Sequence, residues 1–163
     1  MTSYANMFKW FVNKLPGKRI FIFDLDRTLW NFTVEYRPYM RGNDALWRRP
    51  REGPAILEFL QEKGHELNIA SRSSEPDRCR ELIHELYPRI KFANRHIYPT
   101  PIDKRNHIHE ILAGREVQEF FFFDDEIDII KDVKDQHKNA VTFHTPNGIS
   151  YGVFVEKIEK LVE

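Results

Sequence analysis

Short β-prone runs alternate with stretches of helical periodicity along most of this chain, and that alternation restricts its fold more than any other feature. Ile20–Phe23, residues 67–70, the four aromatics Phe120 to Phe123, and residues 140–143 read as strands, with residues 90–93 a weaker candidate. Between them lie helical patterns at residues 54–63 (opened by Gly53-Pro54 and closed by Gly64), from Pro76 to about Tyr87-Pro88 (capped by Ser74-Glu75), 104–113 and 127–137. Asp103 is placed as an N-cap for the third of these, Gly114 ends it, and Tyr151–Val162 forms a last amphipathic helix. Runs apolar at successive positions are buried on both faces, which calls for a mainly parallel sheet covered by helices. The expected class is α/β, in three layers.

With 163 residues, and neither a repeat, a low-complexity tract nor a linker, a single domain spanning 1–163 is expected. Hydrophobic residues make up 41% and charged residues 31%, an ordinary globular balance. Twenty-five basic residues match 25 acidic ones, which argues against bulk electrostatic capture of nucleic acid but leaves a local basic patch open. Cys79 is the only cysteine, so a disulfide framework is excluded and a reducing, cytoplasmic setting is expected. No apolar run approaches a membrane span. Residues 1–17 contain no acid and place Met7, Phe8, Phe11 and Leu15 at helical spacing before Pro16-Gly17. They read either as a terminal helix laid on the domain or as an organelle-targeting or membrane-surface helix.

The chemistry gathers where strands end. In open parallel sheets, ligands bind beyond the carboxyl ends of the strands. The first strand runs into Asp24-Leu25-Asp26-Arg27-Thr28, the second into Ser71-Arg72, and the aromatic strand into Asp124-Asp125-Glu126. Were these strands neighbours, several carboxylates would converge in a small volume, untenable without a cation. Hard oxygen donors without Cys or His point to magnesium rather than zinc. Asp24 would then be a nucleophile toward phosphorus, forming an acyl phosphate, and Asp26 a general acid and base, provided that the strand breaks between them. Ser71 would donate a hydrogen bond to a phosphoryl oxygen. Lys104, preferred over its neighbour Arg105, would offset charge on the phosphate and on Asp24. Asp124 and Asp125 would complete the metal site, one directly and one by way of water.

FIFDLDRTLW resembles the first motif of the haloacid dehalogenase-like (HAD) phosphatases, and Ser71, Lys104 and Asp124-Asp125 resemble the second, third and fourth in order. More narrowly, DLDRTLW, ASRSSEP, IYP before Lys104, FFFDDE and residues 144–148 resemble the magnesium-dependent phosphatase-1 group. The resemblance covers residues 20–150. It implies a Rossmann-like core without a large cap domain, an aspartyl-phosphate intermediate, and Mg2+ bound by Asp24, the backbone carbonyl of Asp26 and an aspartate of the Asp124-Asp125 pair. Thr28, Ser71, Arg72 and Lys104 are the residues expected at the substrate phosphate. Arg27 and Asp128 depart from the group's usual residues at their positions.

In capless members of this family the segment after the first motif forms a flap, here residues 30–52. It carries Arg37, Arg41, Arg48, Arg49 and Arg51 among Trp30, Tyr36, Tyr39 and Trp47. Those groups either grip and stack on an anionic substrate, or pair with Glu35, Asp44 and Glu52 on a solvated surface. Arg72 fixes its loop or touches substrate. His107 and His109, two apart on a helix, are expected on the exposed surface rather than as a metal pair. His144 lies beside the expected site. The leading expectation is a phosphomonoester hydrolase for a small phosphorylated metabolite or a phosphoprotein. Alternatives are a nucleic-acid end or nucleotide phosphatase, and a catalytically silent binding module.

Overall fold

Five strands, β1 (Ile20–Phe23), β2 (Glu66–Arg72), β3 (Asn94–Tyr98), β4 (Phe120–Asp124) and β5 (Ala140–His144), form one sheet in the computed structural model, which describes residues 3–99, 104–115 and 119–162. Every pairing is parallel and the order is β3-β2-β1-β4-β5. The chain builds outward from β1 to β3, then returns to place β4 on the other side of β1. The order therefore reverses beside β1, where such sheets open a crevice.

Side chains alternate between the two faces and both are covered. Phe21, Phe23, Phe121, Phe123 and Phe143 share one buried cluster with residues of α1 (Tyr4–Asn13), α3 (Gly53–Glu62), α4 (Pro76–Leu86) and α7 (Tyr151–Val162). Ile20, Ile22, Phe120 and Phe122 share the other with α5 (Lys104–Leu112) and α6 (Ile127–Gln136). Rings facing each other across strands stack, Phe21 on Phe121 at 4.6 Å, Phe23 on Phe123 at 4.7 Å and Phe123 on Phe143 at 4.4 Å. Each buried ring contributes roughly 1.5–3 kcal/mol by leaving water, and each pair roughly 0.5–1.5 kcal/mol more. The aromatic run of β4 is thus core.

The basic N-terminal segment forms α1, which lies against α7 with Phe8 packed on Phe154 at 4.6 Å. No helix among the described residues is long and apolar enough to cross a membrane. The segment between β1 and α3 holds only the short α2 (Gly42–Leu46), so no large cap stands over the sheet.

Three local expectations need correcting. The third strand is Asn94–Tyr98, not residues 90–93. It is an edge strand whose one fully buried residue is Ile97, so its apolar signal is weak, whereas Ile90 and Phe92 are buried just before it. Ser74 does not cap α4: its N–H goes to Glu35 Oε1 (2.7 Å), Glu75 stands at the N-cap without a side-chain bond, and Ser73 Oγ accepts the Glu75 N–H (3.1 Å). His107 is buried, edge-on to Tyr98 at 5.1 Å, while His109 is exposed; the 200° between them around the helix separates core from solvent. Asp103 lies outside the described residues.

Candidate active site

The register of the central strands brings the acids together. Phe23 pairs with Phe123, and the Asp24 N–H bonds to the Phe123 carbonyl at 2.9 Å, so Asp24 and Asp124 emerge side by side. Beyond Phe23 the chain leaves the sheet. Arg27 adopts a left-handed backbone (φ 63°), and Asp26 and Trp30 form an isolated bridge. A non-glycine residue there carries a steric cost of roughly 1–2 kcal/mol. This turn is the break that lets Asp24 and Asp26 face one cleft although they are two apart.

Oxygens of Asp24, Asp124 and Asp125 lie within 4.8 Å of one another. Asp24 and Asp124 are buried and Asp125 half-buried. Lys104, at the start of α5, places Nζ 2.5 Å from Asp24 Oδ1 and 2.6 Å from Asp124 Oδ2, while Asp124 Oδ1 accepts the Glu126 N–H at 3.0 Å. Burial, then the Asp124 charge, raises the Asp24 carboxyl well above its ordinary range, against the opposing pull of Lys104. Asp125 is raised as well, chiefly by burial. Burial depresses the Lys104 ammonium, but Asp24 and Asp124 outweigh that and raise it overall. One lysine among three crowded carboxylates leaves the site short of positive charge. Its donor set is all carboxylate oxygen, which suits a hard divalent cation.

Asp26 points into the same cleft, its Oδ1 taking the Trp30 indole N–H at 2.8 Å and the Val34 N–H at 3.1 Å. Burial raises its carboxyl and these two bonds partly counter the shift. The cleft, about 410 Å³, is also lined by Arg27, Thr33, Glu35, Tyr36, Arg72 and Glu126. Arg72, half-buried, stands 3.6 Å from the exposed Glu126 across it, a solvent-screened pair of little energetic weight.

Two expected phosphate contacts sit elsewhere than the cleft wall. The Thr28 hydroxyl donates to Asp24 Oδ2 (3.4 Å) and meets the Thr145 hydroxyl at 3.0 Å, all buried. Ser71 is buried at the carboxyl end of β2. Two of the flap arginines have partners other than Glu35, Asp44 and Glu52. Arg49 donates to the Leu86 carbonyl (2.6 Å) and Arg41 approaches Glu81 (4.0 Å), while Glu35 binds the Ser74 N–H and Glu52 the Tyr151 N–H. Trp30 is buried, whereas Tyr36, Tyr39 and Trp47 are exposed. Thr145 escaped sequence reading although it lies in the 144–148 stretch; its only signal there is a hydroxyl following a strand end. His144 donates Nε2–H to the Asp125 carbonyl at 2.9 Å.

Residues 16–163 match the family model described as acid phosphatase. The chain belongs to this acid phosphatase family. Among its relatives, magnesium-dependent phosphatase 1 of Homo sapiens is 32% identical over 161 residues, covering 90% of this chain and 87% of the human protein. Solved structures agree on the fold. The N-terminal part of a Bacteroides fragilis protein, containing a phosphatase domain and complexed with Mg, superposes with a TM-score of 0.64 at 18% identity, over 95% of this chain and 43% of that one. The HAD domain of the Legionella pneumophila effector Lem4 gives 0.59 at 14%, over 88% and 94%. This acid phosphatase family member is accordingly a phosphatase of the HAD type, on an α/β core.

Proposed function

We propose that the chain is a magnesium-dependent phosphomonoester hydrolase working through a phosphorylated Asp24, on a small phosphorylated metabolite or a phosphoprotein. The observation carrying this reading is the meeting of the Asp24, Asp124 and Asp125 oxygens within 4.8 Å, with Lys104 bonded to two of them. Magnesium in the relatives' names and titles agrees with that donor set. Here Asp24, Asp124 and Asp125 would hold the ion, with the Asp26 carbonyl as the family resemblance implies; when bound, it supplies positive charge to the phosphoryl oxygens.

Asp24 attacks phosphorus, a new bond forms from its carboxylate oxygen, and the bond from phosphorus to the ester oxygen breaks. Asp26 gives its proton to that leaving oxygen. Asp26, now ionised, takes a proton from water, whose oxygen attacks the same phosphorus; phosphate leaves and Asp24 is restored. Lys104 holds Asp24 and Asp124 in place and offsets their charge throughout. Arg72 stands at the rim, placed for an anionic group of the substrate. The open cleft accommodates a bulky phosphoprotein as readily as a metabolite. Nucleic-acid ends are not favoured, since Trp30 is buried and none of the five flap arginines is among the described residues lining the cleft. Cys79 is buried, with its thiol pushed up to about 12 chiefly by burial, and takes no part in this chemistry.

The test is hydrolysis of 4-nitrophenyl phosphate. Turnover should require magnesium, vanish with excess chelator, and fall about a thousandfold or more in Asp24→Asn. Wild-type rates in that variant would refute the assignment of the nucleophile.

A further inference from the structure

The carboxyl group of Asp26 is held asymmetrically. Both of the donors described on it, the Trp30 indole N–H at 2.8 Å and the Val34 backbone N–H at 3.1 Å, reach the same oxygen, Oδ1. Trp30 is fully buried and lies over Phe32, ring centroids 5.8 Å apart and planes 23° apart, so its N–H has little freedom to turn away. Its backbone is tied to Asp26 by the isolated bridge, and the left-handed Arg27 sets the turn between them.

We propose that Trp30 is a positioning residue for the phosphatase reaction, selecting which oxygen of Asp26 exchanges the proton. This rests on the reading of Asp26 as general acid and base. An oxygen that already accepts two N–H bonds is the poorer proton acceptor, so the acid proton resides on Oδ2, the other oxygen. When the bond between phosphorus and the ester oxygen breaks, its electron pair goes to the leaving oxygen, and the Oδ2–H bond breaks as that oxygen takes the proton. The negative charge left on the carboxylate is then shared with Oδ1, where two donors already wait, so no rearrangement is needed at the moment of transfer. The same two bonds fix the carboxyl plane, so that Oδ2 returns to one place for the water step. In this account the tryptophan after the first motif serves the acid, and substrate never stacks on it.

The experiment compares kcat/KM for phenyl phosphate and 4-nitrophenyl phosphate, with magnesium, in the full chain and in Trp30→Phe, Asp26→Asn and the double variant. The two esters have nearly the same shape, but phenolate leaves far less readily than nitrophenolate without a proton. Trp30→Phe keeps a buried ring and removes the N–H. The expected result is a loss of about tenfold on phenyl phosphate, part of a general acid's usual contribution, with less than about threefold on the nitrophenyl ester. In the Asp26→Asn background, Trp30→Phe should cost nothing further, because the group it positions is gone. Trp30→Tyr, which also lacks the indole N–H, takes its place if circular dichroism shows the phenylalanine variant unfolded.

Equal losses on the two esters, no loss in a folded variant, or full additivity with Asp26→Asn would each overturn the proposal while leaving the phosphatase reading intact. A wild-type chain that hydrolyses neither ester, or an Asp26→Asn variant as fast as wild type, would instead remove the general acid itself, and with it any role for Trp30.

Discussion

Thr28 has a single hydroxyl proton, and the geometry sends it to Asp24 Oδ2. The Thr28–Thr145 bond at 3.0 Å must then carry the Thr145 proton, with Thr145 as donor. Thr145 is thereby the first member of a buried relay that ends on the residue assigned as nucleophile. Its backbone N–H is also committed, to the Asp124 carbonyl at 2.8 Å, so the one residue ties the tips of β4 and β5 to the loop after β1. Thr145→Val removes the donor at nearly constant volume and leaves Thr28 free to turn. One neutral hydrogen bond is worth about 1 kcal/mol, so kcat should fall about fivefold, with KM changing less than about twofold. Thr145→Ser should recover most of the loss. Steady-state kinetics on an aryl phosphate, with thermal melts to verify folding, would check this; a valine variant with unaltered kcat would take Thr145 out of the site. Sequence could not supply this residue, because a threonine after a strand has the same local signature whether its hydroxyl meets solvent or a partner 117 positions away.

At the scale of elements, what was legible followed from burial. The β1 and β4 runs are apolar on both faces and are legible to within a residue, and so is the charge at their tips. A run buried on both faces loses its apolar character where the sheet opens to the cleft, even though β4 itself continues through Asp124. The edge strand β3 was misplaced since it buries one face sparingly, and Ser74 gave a capping signal that Glu35 instead satisfies from the flap. Long-range contacts of this kind have no local trace. A second one joins the end of α4 to the loop after β1, close to the start of α3. Tyr87 is buried at the end of α4 and donates its hydroxyl to the Leu29 carbonyl at 2.6 Å, holding the loop that follows Thr28. A Cβ on Gly53, the first residue of α3, would stand 2.7 Å from that hydroxyl. Gly53→Ala should therefore push the ring aside and cost about 1–3 kcal/mol, despite alanine's better helix propensity. Urea unfolding would measure it, and a stabilised alanine variant would show that the ring has room to move. Tyr87→Phe, which gives up the bond and relieves the contact, should offset part of the penalty when combined with Gly53→Ala.

For the molecule as a whole, the catalytic carboxylates and a buried histidine fall at opposite ends of the sheet. Carboxylates crowd the carboxyl ends of the strands, while at the other end His65 is buried just before β2, its Nδ1 accepting the Arg19 N–H at 3.0 Å just before β1. That bond requires the neutral ring, with the proton on Nε2. Burial first, and the Arg19 charge second, hold the His65 pKa below its ordinary value. In the unfolded chain the ring takes its proton near the ordinary value of about 6.5. Above that pH both states are neutral and the contribution of His65 is complete. As the pH falls, the unfolded state binds a proton that the folded state refuses, so stability declines until the lower, folded value is passed. His65→Asn offers the Arg19 N–H a carbonyl oxygen in much the same place and does not titrate. The variant should lose stability less steeply between about pH 7 and pH 5 than the wild type does, whatever its stability at neutral pH. Urea midpoints at the two pH values decide the matter. Since both proteins keep every carboxylate of the catalytic end, the difference between their slopes isolates this one ring, and parallel slopes would mean that His65 binds its proton equally well in both states.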